Sequence, residues 1–515
     1  MTRKALAVLA LCSLLTACGS TVQQRGTTAT GAVGVAGSDV DGLTAPGTSD
    51  GLTLPGDPAA EGQADSGSEV AAGPGAAIGD AGAAGAPGQP GGAQGAGPGA
   101  PAAGRAPGEG STSPVKVGIV VTTVAAEAFG VSLGNTVSER QVYEAAVKAM
   151  NAKGGLNGRR IVPVFAETST GSSNWEGDFA RACTQFTQDD KVDVVLGYVF
   201  NHYASFEGCL ARKAIPHFNT GFNIPDAREL QNYPLYLALD VPTIERRSLA
   251  KIDGAVATGY LTGKSRVGLF SDDCPGTIRS RDAVAIPALK RAGITVARTF
   301  QVDCVQGYSD SGNASAQVQS AVLAFASENV DRVLFHAVSE GPSLLQFAIA
   351  AESQGYRPGY VMSSLANLST LAEQDQSPRE QVRNIRAFGW LPTQDVAPEK
   401  YTPPNAAQQR CLALLKSQGI TPTAAVDYAY AYNICEPLFL YEQALRRTGG
   451  AATGPPVVAA VQALGSSFQS TLNLDGKAIY GAARNDAVAS ARPLVYSDPC
   501  GCFVYTGAAR PIPSP

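Results

Sequence analysis

The sequence has 515 residues, of which 44% are hydrophobic and 16% are charged, a balance that supplies both a sizeable core and a water-soluble surface. Its 39 basic and 44 acidic residues give a formal net charge of -5, which excludes the broad cationic surface that nucleic-acid binding requires. We therefore expect a globular protein with no nucleic-acid partner.

The first 18 residues have the organisation of a secretory signal peptide with a lipobox. Arg3 and Lys4 precede an apolar run at residues 5–15 that is too short to span a bilayer, and small residues precede Cys18. This pattern predicts cleavage before Cys18 and attachment of lipid to it, which would anchor the protein to the outer face of the cell membrane. An ordinary signal peptide with an incidental cysteine is the alternative.

Residues 19–113 are dominated by Gly, Ala, Pro, Ser and Thr, with few large apolar side chains. Because so little apolar surface cannot offset the entropy lost on ordering the backbone, we predict a disordered tether with a reach of roughly 55 Å. The tether would hold a folded domain at residues 114–515 clear of the membrane. A neutral spacer of no set length is the alternative.

From residue 115 onward, short apolar runs alternate with helical segments in two series. The first series predicts strands at residues 115–121, 160–165, 192–196 and 216–219, with a helix at 138–151 that begins at an N-cap serine. The second series predicts strands at residues 266–270, 295–300, 330–335 and 360–363, with helices at 278–292, 314–327 and 343–354. Strands separated by helices indicate parallel βαβ units, so the sequence predicts an α/β fold with two parallel sheets.

Eight cysteines follow Cys18, an even number that indicates disulfides in an exported protein. Pairing neighbours in sequence is the simplest scheme, and it joins Cys183 to Cys209, Cys274 to Cys304, and Cys411 to Cys435. Cys500 and Cys502 are left without a clear assignment, because a bridge across one residue is strained. No Cys-x-x-Cys pair occurs and the chain has only three histidines, so we expect no metal and no other cofactor.

Residues 151–160, with the sequence NAKGGLNGRR, connect the first predicted helix to the second predicted strand. This run resembles the corresponding loop of type I solute-binding proteins, the extracytoplasmic receptors of branched-chain amino-acid and amide ABC importers. Residues 117–120 are similar to the first strand of that family, and residues 428–430 to a late helix. Cys183 and Cys209 fall where the family commonly has a disulfide. The resemblance covers about 400 residues.

The resemblance implies a two-lobed, periplasmic-binding-protein type I fold, in which each lobe is a parallel sheet flanked by helices and a hinge joins the lobes. Lobe 1 would take about residues 115–240 and 390–490, and lobe 2 about residues 241–389 and 491–515. A small solute would bind between the lobes, beyond the carboxyl ends of the strands. Hinge closure would present it to a permease and an ATPase, which would be separate proteins because this chain has no phosphate-binding loop.

Candidate ligand-binding residues follow from the ends of the predicted strands. From lobe 1 they are Phe129, Tyr198, Asn201, His202, Tyr203, Asn219, Thr220 and Phe222, and from lobe 2 they are Asp273, His336, Glu340 and Ser364. In the family, the loops after the third and fourth strands bind the carboxylate of the ligand. Each polar residue among them is equally compatible with a role as a helix cap or turn residue.

Two positions depart from the family pattern. Pro275-Gly276 stands where the family often has tyrosine before glycine, and Ser343 stands near the place of a carboxylate that binds the ligand's amine. Glu340 or Asp273 would supply a substitute charge. The predicted solute is therefore an amino acid, an amide or a related compound, and aromatic side chains near the cleft would favour a flatter or aromatic one.

Three other functions share some of these features. A ligand-sensing receptor would use the same two lobes and pass the closed shape to a signalling partner. An enzyme would need a nucleophile with an oriented base. Gly-x-Ser-x-Gly occurs at residues 47–51 and 130–134, but neither run directly follows a predicted strand, as a nucleophile elbow requires. A structural wall protein would show no ligand-dependent closure. The sequence favours a binding protein over an enzyme.

Overall fold

The computed structural model describes residues 113–123, 136–197, 204–221, 224–482 and 484–514. The predicted signal peptide and Cys18 lie outside these ranges, as does the predicted tether up to residue 112. Two sheets, each with helices packed against it, organise the described residues. We refer to each sheet with its helices as lobe 1 and lobe 2, in chain order.

Lobe 1 is built on five parallel strands in the order β2-β1-β3-β4-β5. In chain order its elements are β1 (Val115–Thr123), α1 (Glu139–Ala152), β2 (Ile161–Ser169), α2 (Trp175–Thr184), β3 (Val194–Gly197), α3 (Ala204–Arg212), β4 (His217–Asn219), α4 (Ala227–Asn232) and β5 (Tyr236–Ala238).

The side chains of β1 show why this sheet is covered on both faces. Val117 and Ile119 belong to the apolar cluster shared with α1, whereas Val120 belongs to the cluster on the other face, with Phe186. This alternation is the period-two pattern of a strand. Gly118 lets the Phe186 ring lie against the sheet, since a Cβ there would be 3.0 Å from that ring.

Lobe 2 is built on a mixed sheet in the order β12-β11-β10-β9-β8-β6-β7, with β13 paired to β11. Its elements are α5 (Ile244–Ala257), β6 (Arg266–Asp272), α6 (Pro275–Ser280), α7 (Ile286–Arg291), β7 (Thr295–Val302), α8 (Ser311–Ser327), β8 (Arg332–His336), α9 (Glu340–Ser353), β9 (Gly359–Ser363), α10 (Leu368–Glu373), α11 (Arg379–Arg383), β10 (Ile385–Gly389), β11 (Ser490–Ser497), β12 (Cys502–Tyr505) and β13 (Arg510–Pro511).

Four helices separate β10 from β11: α12 (Pro392–Asp395), α13 (Ala406–Lys416), α14 (Ala425–Leu445) and α15 (Pro455–Gln462). Helix α14 packs against β3 and α1 of lobe 1, and α13 packs against α1. The chain therefore leaves lobe 1 after β5, builds most of lobe 2, returns to lobe 1, and enters lobe 2 again with β11.

The α/β fold class is confirmed, and all eight predicted strands are present. The prediction of a purely parallel second sheet was wrong, because β11 and β12 are antiparallel to their neighbours. The three predicted disulfides form, and Cys500 and Cys502 are also bonded to each other. The lobe boundaries predicted from the sequence stay a prediction.

The crossing segments between the lobes are held together by Asp486. Its carboxylate accepts the Thr243 main-chain N–H at 2.9 Å and pairs with the Arg246 guanidinium at 2.5 Å. Beside this contact, the Leu474 N–H donates to the Trp390 carbonyl oxygen at 2.8 Å. Segments that are distant in sequence therefore form one hydrogen-bonded hinge.

Candidate functional site

Half of the predicted ligand-binding residues lie outside the described part of the chain. These are Phe129, Tyr198, Asn201, His202, Tyr203 and Phe222. For them the ligand-binding role stays a prediction. The other six residues are described, and their surroundings differ between the two lobes.

At the end of β4, Asn219 and Thr220 are almost fully buried. The Thr220 hydroxyl donates to the Asn433 carbonyl oxygen of α14 at 2.9 Å. The next residue, Gly221, donates its N–H to the Asp240 carboxylate at 3.2 Å. The loop after β4 is therefore fixed to the rest of lobe 1 at the carboxyl edge of the sheet, where the sequence places the solute.

In lobe 2, the end of β6 carries two neighbouring aspartates with different environments. Asp273 is partly exposed and accepts the Cys304 N–H at 2.5 Å. Asp272 is buried and accepts the N–H groups of Cys274 at 3.2 Å and Val338 at 2.6 Å. Asp272 thus orients the loops that follow β6 and β8, a role that was not predicted from the sequence.

His336 lies inside lobe 2 and is fully buried. Its Nδ1 is 2.9 Å from the Ser248 hydroxyl, and its Nε2 is 3.2 Å from the Thr277 carbonyl oxygen. Burial lowers the pKa of His336 well below its usual value, and the positive charges of Arg247 and Lys251 add to this effect. Its imidazole is therefore neutral and joins α5 to α6.

Glu340 is also enclosed within lobe 2. Its carboxylate pairs with the ammonium group of Lys251 and accepts the Ser363 N–H at 3.1 Å and the Ser363 hydroxyl at 2.6 Å. The Arg247 guanidinium lies 3.4 Å away. Burial alone would raise the pKa of Glu340, but the two cations outweigh it and the pKa is lowered. Because these cations already engage the carboxylate, we do not propose it as the charge that binds a ligand amine.

Ser364 lies at the hinge. Its hydroxyl oxygen accepts the main-chain N–H groups of Trp390 at 2.7 Å and Leu391 at 3.1 Å, and its proton is directed to the Asp395 carboxylate at 3.1 Å. Ser364 is fully buried. The structure thus brings Asn219, Thr220 and Asp273 to the edges of their sheets, whereas His336, Glu340 and Ser364 lie in the interior of lobe 2 or at the hinge.

A cavity of about 70 Å³ lies between the segment that follows β4 in lobe 1 and the loops of lobe 2. Its walls are Ile224, Glu229, Ile244, Cys274, Pro275, Gly276, Thr277, Cys304, Gln306 and Val338. Most of these side chains are apolar, and the Cys274–Cys304 disulfide forms part of the wall. The Glu229 carboxylate is 3.3 Å from the Arg279 guanidinium, so its charge is balanced. The described part of the interlobe cleft therefore combines apolar side chains with polar groups and suits an uncharged group.

The sequence matches the profile of the periplasmic binding protein family over residues 114–493. The chain belongs to this family, and the resemblance inferred from residues 151–160 is confirmed. It is a solute-binding protein and not an enzyme. A comparison with curated proteins finds no significant match.

Solved structures show the same fold at low sequence identity. A leucine-binding protein from Thermotoga maritima is 16% identical, with 77% of this chain and 99% of that chain covered and a TM-score of 0.54. An ABC-transporter solute-binding protein from R. palustris, in complex with 4-hydroxybenzoate, is 14% identical, with coverages of 78% and 98% and a TM-score of 0.55. A fatty acid ABC transporter substrate-binding protein from Thermomonospora curvata is 14% identical, with coverages of 77% and 92% and a TM-score of 0.55.

Within the described ranges, no helix combines the length and the apolar character needed to cross a bilayer.

Proposed function

We propose that this protein is the lipid-anchored receptor of an ABC importer and captures a small solute by closure of its two lobes. The observation that carries the proposal is the cavity between Ile224 of lobe 1 and the Cys274–Cys304 region of lobe 2. A solute there touches both lobes only when they are close together, so its binding free energy favours the closed form. Permease and ATPase subunits, encoded separately, then recognise that form.

The proposed solute is an amino acid, an amide or a related compound with an apolar body. Ile224, Ile244, Pro275 and Val338 line the cavity, and these side chains offer dispersion contacts rather than charge. The names of the structural relatives, which bind leucine, 4-hydroxybenzoate and fatty acids, describe solutes with such a body. The carboxylate of the solute would be bound by the loops after β3 and β4.

A thermal-shift screen of the chain from residue 18 onward tests solute capture. The probes are leucine, valine, glutamine, urea, 4-hydroxybenzoate, hexanoate and glucose. A solute present at about 100 times its dissociation constant stabilises the folded protein by about 2.7 kcal/mol, which raises the melting temperature by several degrees. A shift with one class of probe supports solute capture, whereas no shift across a broader library of the same classes would favour a structural role.

Lipid attachment requires its own experiment, because the fold does not depend on it. We expect labelled palmitate to be incorporated into the protein in a bacterial host and the protein to remain with the membrane fraction. Cys18→Ser removes the predicted acceptor, and the variant should lose the label and leave the membrane. Label that persists in this variant would contradict anchoring through Cys18.

A further inference from the structure

Two sets of contacts cross from lobe 2 to lobe 1 outside the hinge. In the first, Arg279 of α6 pairs with Asp226 at 2.5 Å and with Glu229 at 3.3 Å, both in the α4 region of lobe 1. Asp226 is 1% exposed and Arg279 is 35% exposed. Because Asp226 also caps α4 by accepting the Glu229 N–H at 2.7 Å, the carboxylate is held in place before Arg279 reaches it.

The second contact involves the loop after β7. The Tyr308 N–H donates to the Ser172 carbonyl oxygen, in the loop after β2 of lobe 1, at 2.9 Å. A Cβ on the neighbouring Gly307 would lie 2.4 Å from the Ser173 carbonyl oxygen. Only glycine allows the two backbones to approach this closely.

The two contacts meet opposite sides of lobe 1. In the sheet order β2-β1-β3-β4-β5, the Ser172 loop follows the edge strand β2, and α4 connects β4 to the other edge strand, β5. Four strand spacings of about 4.8 Å separate these edges by about 19 Å. In lobe 2, by contrast, the contacting segments follow the adjacent strands β6 and β7, and the Cys274–Cys304 disulfide joins them.

We infer that Arg279, its two carboxylate partners and the Gly307–Tyr308 contact form a single latch that holds the lobes closed, with the Cys274–Cys304 disulfide joining its two halves. Rotation at the hinge separates both contacts together, since each one bridges the lobes. Arg279 is thus a positioning residue: it changes the balance between open and closed forms without touching the solute. The inference rests on the two-lobed fold and not on the identity of the solute.

Hydrogen exchange of the solute-free full chain tests the latch. The amide of Tyr308 exchanges only when its bond to Ser172 opens, and a peptide beginning at residue 305 retains that amide for mass spectrometry. Arg279→Ala is expected to speed this exchange about fivefold, although residue 279 lies in α6 and not in the loop that carries Tyr308. Arg298→Ala is the matched control, because its ion pair with Glu328 at 3.2 Å lies within lobe 2, and it should leave the Tyr308 amide unchanged.

The alternative, a purely local role for Arg279, predicts a different pattern. Exchange would then rise in α6 and α4 while the Tyr308 amide stayed at its original rate, and this result would overturn the latch. A second variant, Glu229→Gln, keeps an oxygen acceptor for the capping box and should show a smaller rise than Arg279→Ala.

The role of the disulfide is tested by the double variant Cys274→Ser/Cys304→Ser. With Arg279 intact, we expect faster exchange both at Tyr308 and in α4, because the halves of the latch no longer move together. If each contact keeps its original protection, the halves are independent and the disulfide is not part of the latch. Neither result bears on solute capture, because no solute is present in these measurements.

Discussion

The indole Nε1 of Trp390 donates a hydrogen bond to the main-chain oxygen of Asp240, 2.8 Å away, and the indole ring is fully buried. Asp240 follows the last strand of lobe 1, and Trp390 follows β10 of lobe 2. This one bond therefore connects two of the segments that cross between the lobes. The stability of the hinge depends on a side chain that contacts neither the cavity nor the solvent.

Replacing the indole tests this dependence. Trp390→Phe removes the indole N–H, so the main-chain oxygen of Asp240 loses this hydrogen bond, and the smaller ring leaves a cavity. We therefore expect the free energy of unfolding to fall by about 3 kcal/mol. Urea denaturation measures the change. Leu323→Ala is the control: Leu323 is 55% exposed, and the loss should stay within about 0.5 kcal/mol. Equal losses in the two variants would show that the indole does not hold the hinge.

Stability is expected to fall as the pH rises from about 4 to about 7, because buried carboxyl groups take up protons on folding. Burial raises the pKa of Asp395 to about 7 and that of Glu436 to about 7. Unfolded carboxyls titrate near pH 4, so over this range the folded protein holds protons that the unfolded chain has released. The stability that these two protonated carboxyl groups contribute is fully present below about pH 4 and is lost as the pH rises through about 7. Urea denaturation at pH 5, 6.5 and 8 measures it.

Asp395→Asn isolates one of these groups. The Oδ2 atom of Asp395 accepts hydrogen bonds from Tyr505, Ser364 and Leu391, and among the described residues Oδ1 has no hydrogen-bond partner. The amide keeps an acceptor oxygen but cannot ionise, so the stability of the variant relative to the parent should be greater at pH 8 than at pH 5. Asp282→Asn, at a side chain that is 56% exposed, should keep the parent's profile. If the stability of Asp395→Asn varied with pH in the same way as that of the parent, the Asp395 carboxyl would not contribute to the pH dependence.

Glu340→Gln distinguishes a structural role from a ligand-binding role. Removal of this charge leaves Lys251 and Arg247 buried without compensation, which should reduce the free energy of unfolding by about 3 to 5 kcal/mol. Glu352→Gln breaks a surface pair with Arg357 and should cost less than about 1 kcal/mol. If Glu340→Gln kept the stability of the parent but lost solute binding, Glu340 would have a ligand-binding role and not a structural one.

The disulfides differ in the length of chain that they close. Cys411 and Cys435 are 24 residues apart and join α13 to α14, so their replacement by alanine should cost about 3.5 kcal/mol. Cys500 and Cys502 are 2 residues apart, and the same loop-entropy relation gives about 1.6 kcal/mol. Chemical denaturation of the two double variants compares these values. If the two double variants lost similar free energies of unfolding, loop entropy would not be the main source of the stability that the disulfides provide.

The predicted strands were found where buried residues form continuous, largely apolar runs, as in β1 and β6. The strands that were not predicted have weaker signals. β5 contains only three residues, and β11 contains arginine and proline and is half-buried. Its pairing with β10 joins residues about 100 positions apart, which no local pattern reveals.

The candidate site was less predictable than the fold. Strand ends could be located, but the direction of each side chain depends on partners far along the chain. His336 is the last residue of β8 and Glu340 is the first residue of α9, yet both side chains are held in the interior by residues of α5. The Asp226–Glu229 capping box is visible in the sequence, whereas its pairing with Arg279, 53 residues from Asp226, is not.

The pairing of β11 with β10 also has a consequence for how the polypeptide matures. Lobe 2 begins with α5, but β11 is made only after about 100 residues that follow β10, and these include α13 and α14, which pack against lobe 1. Joining such distant strands carries a loop-closure entropy and slows folding. Synthesis from the N-terminus therefore yields an incomplete lobe 2 whose β10 edge stays unpaired until residues 490–497 have been made.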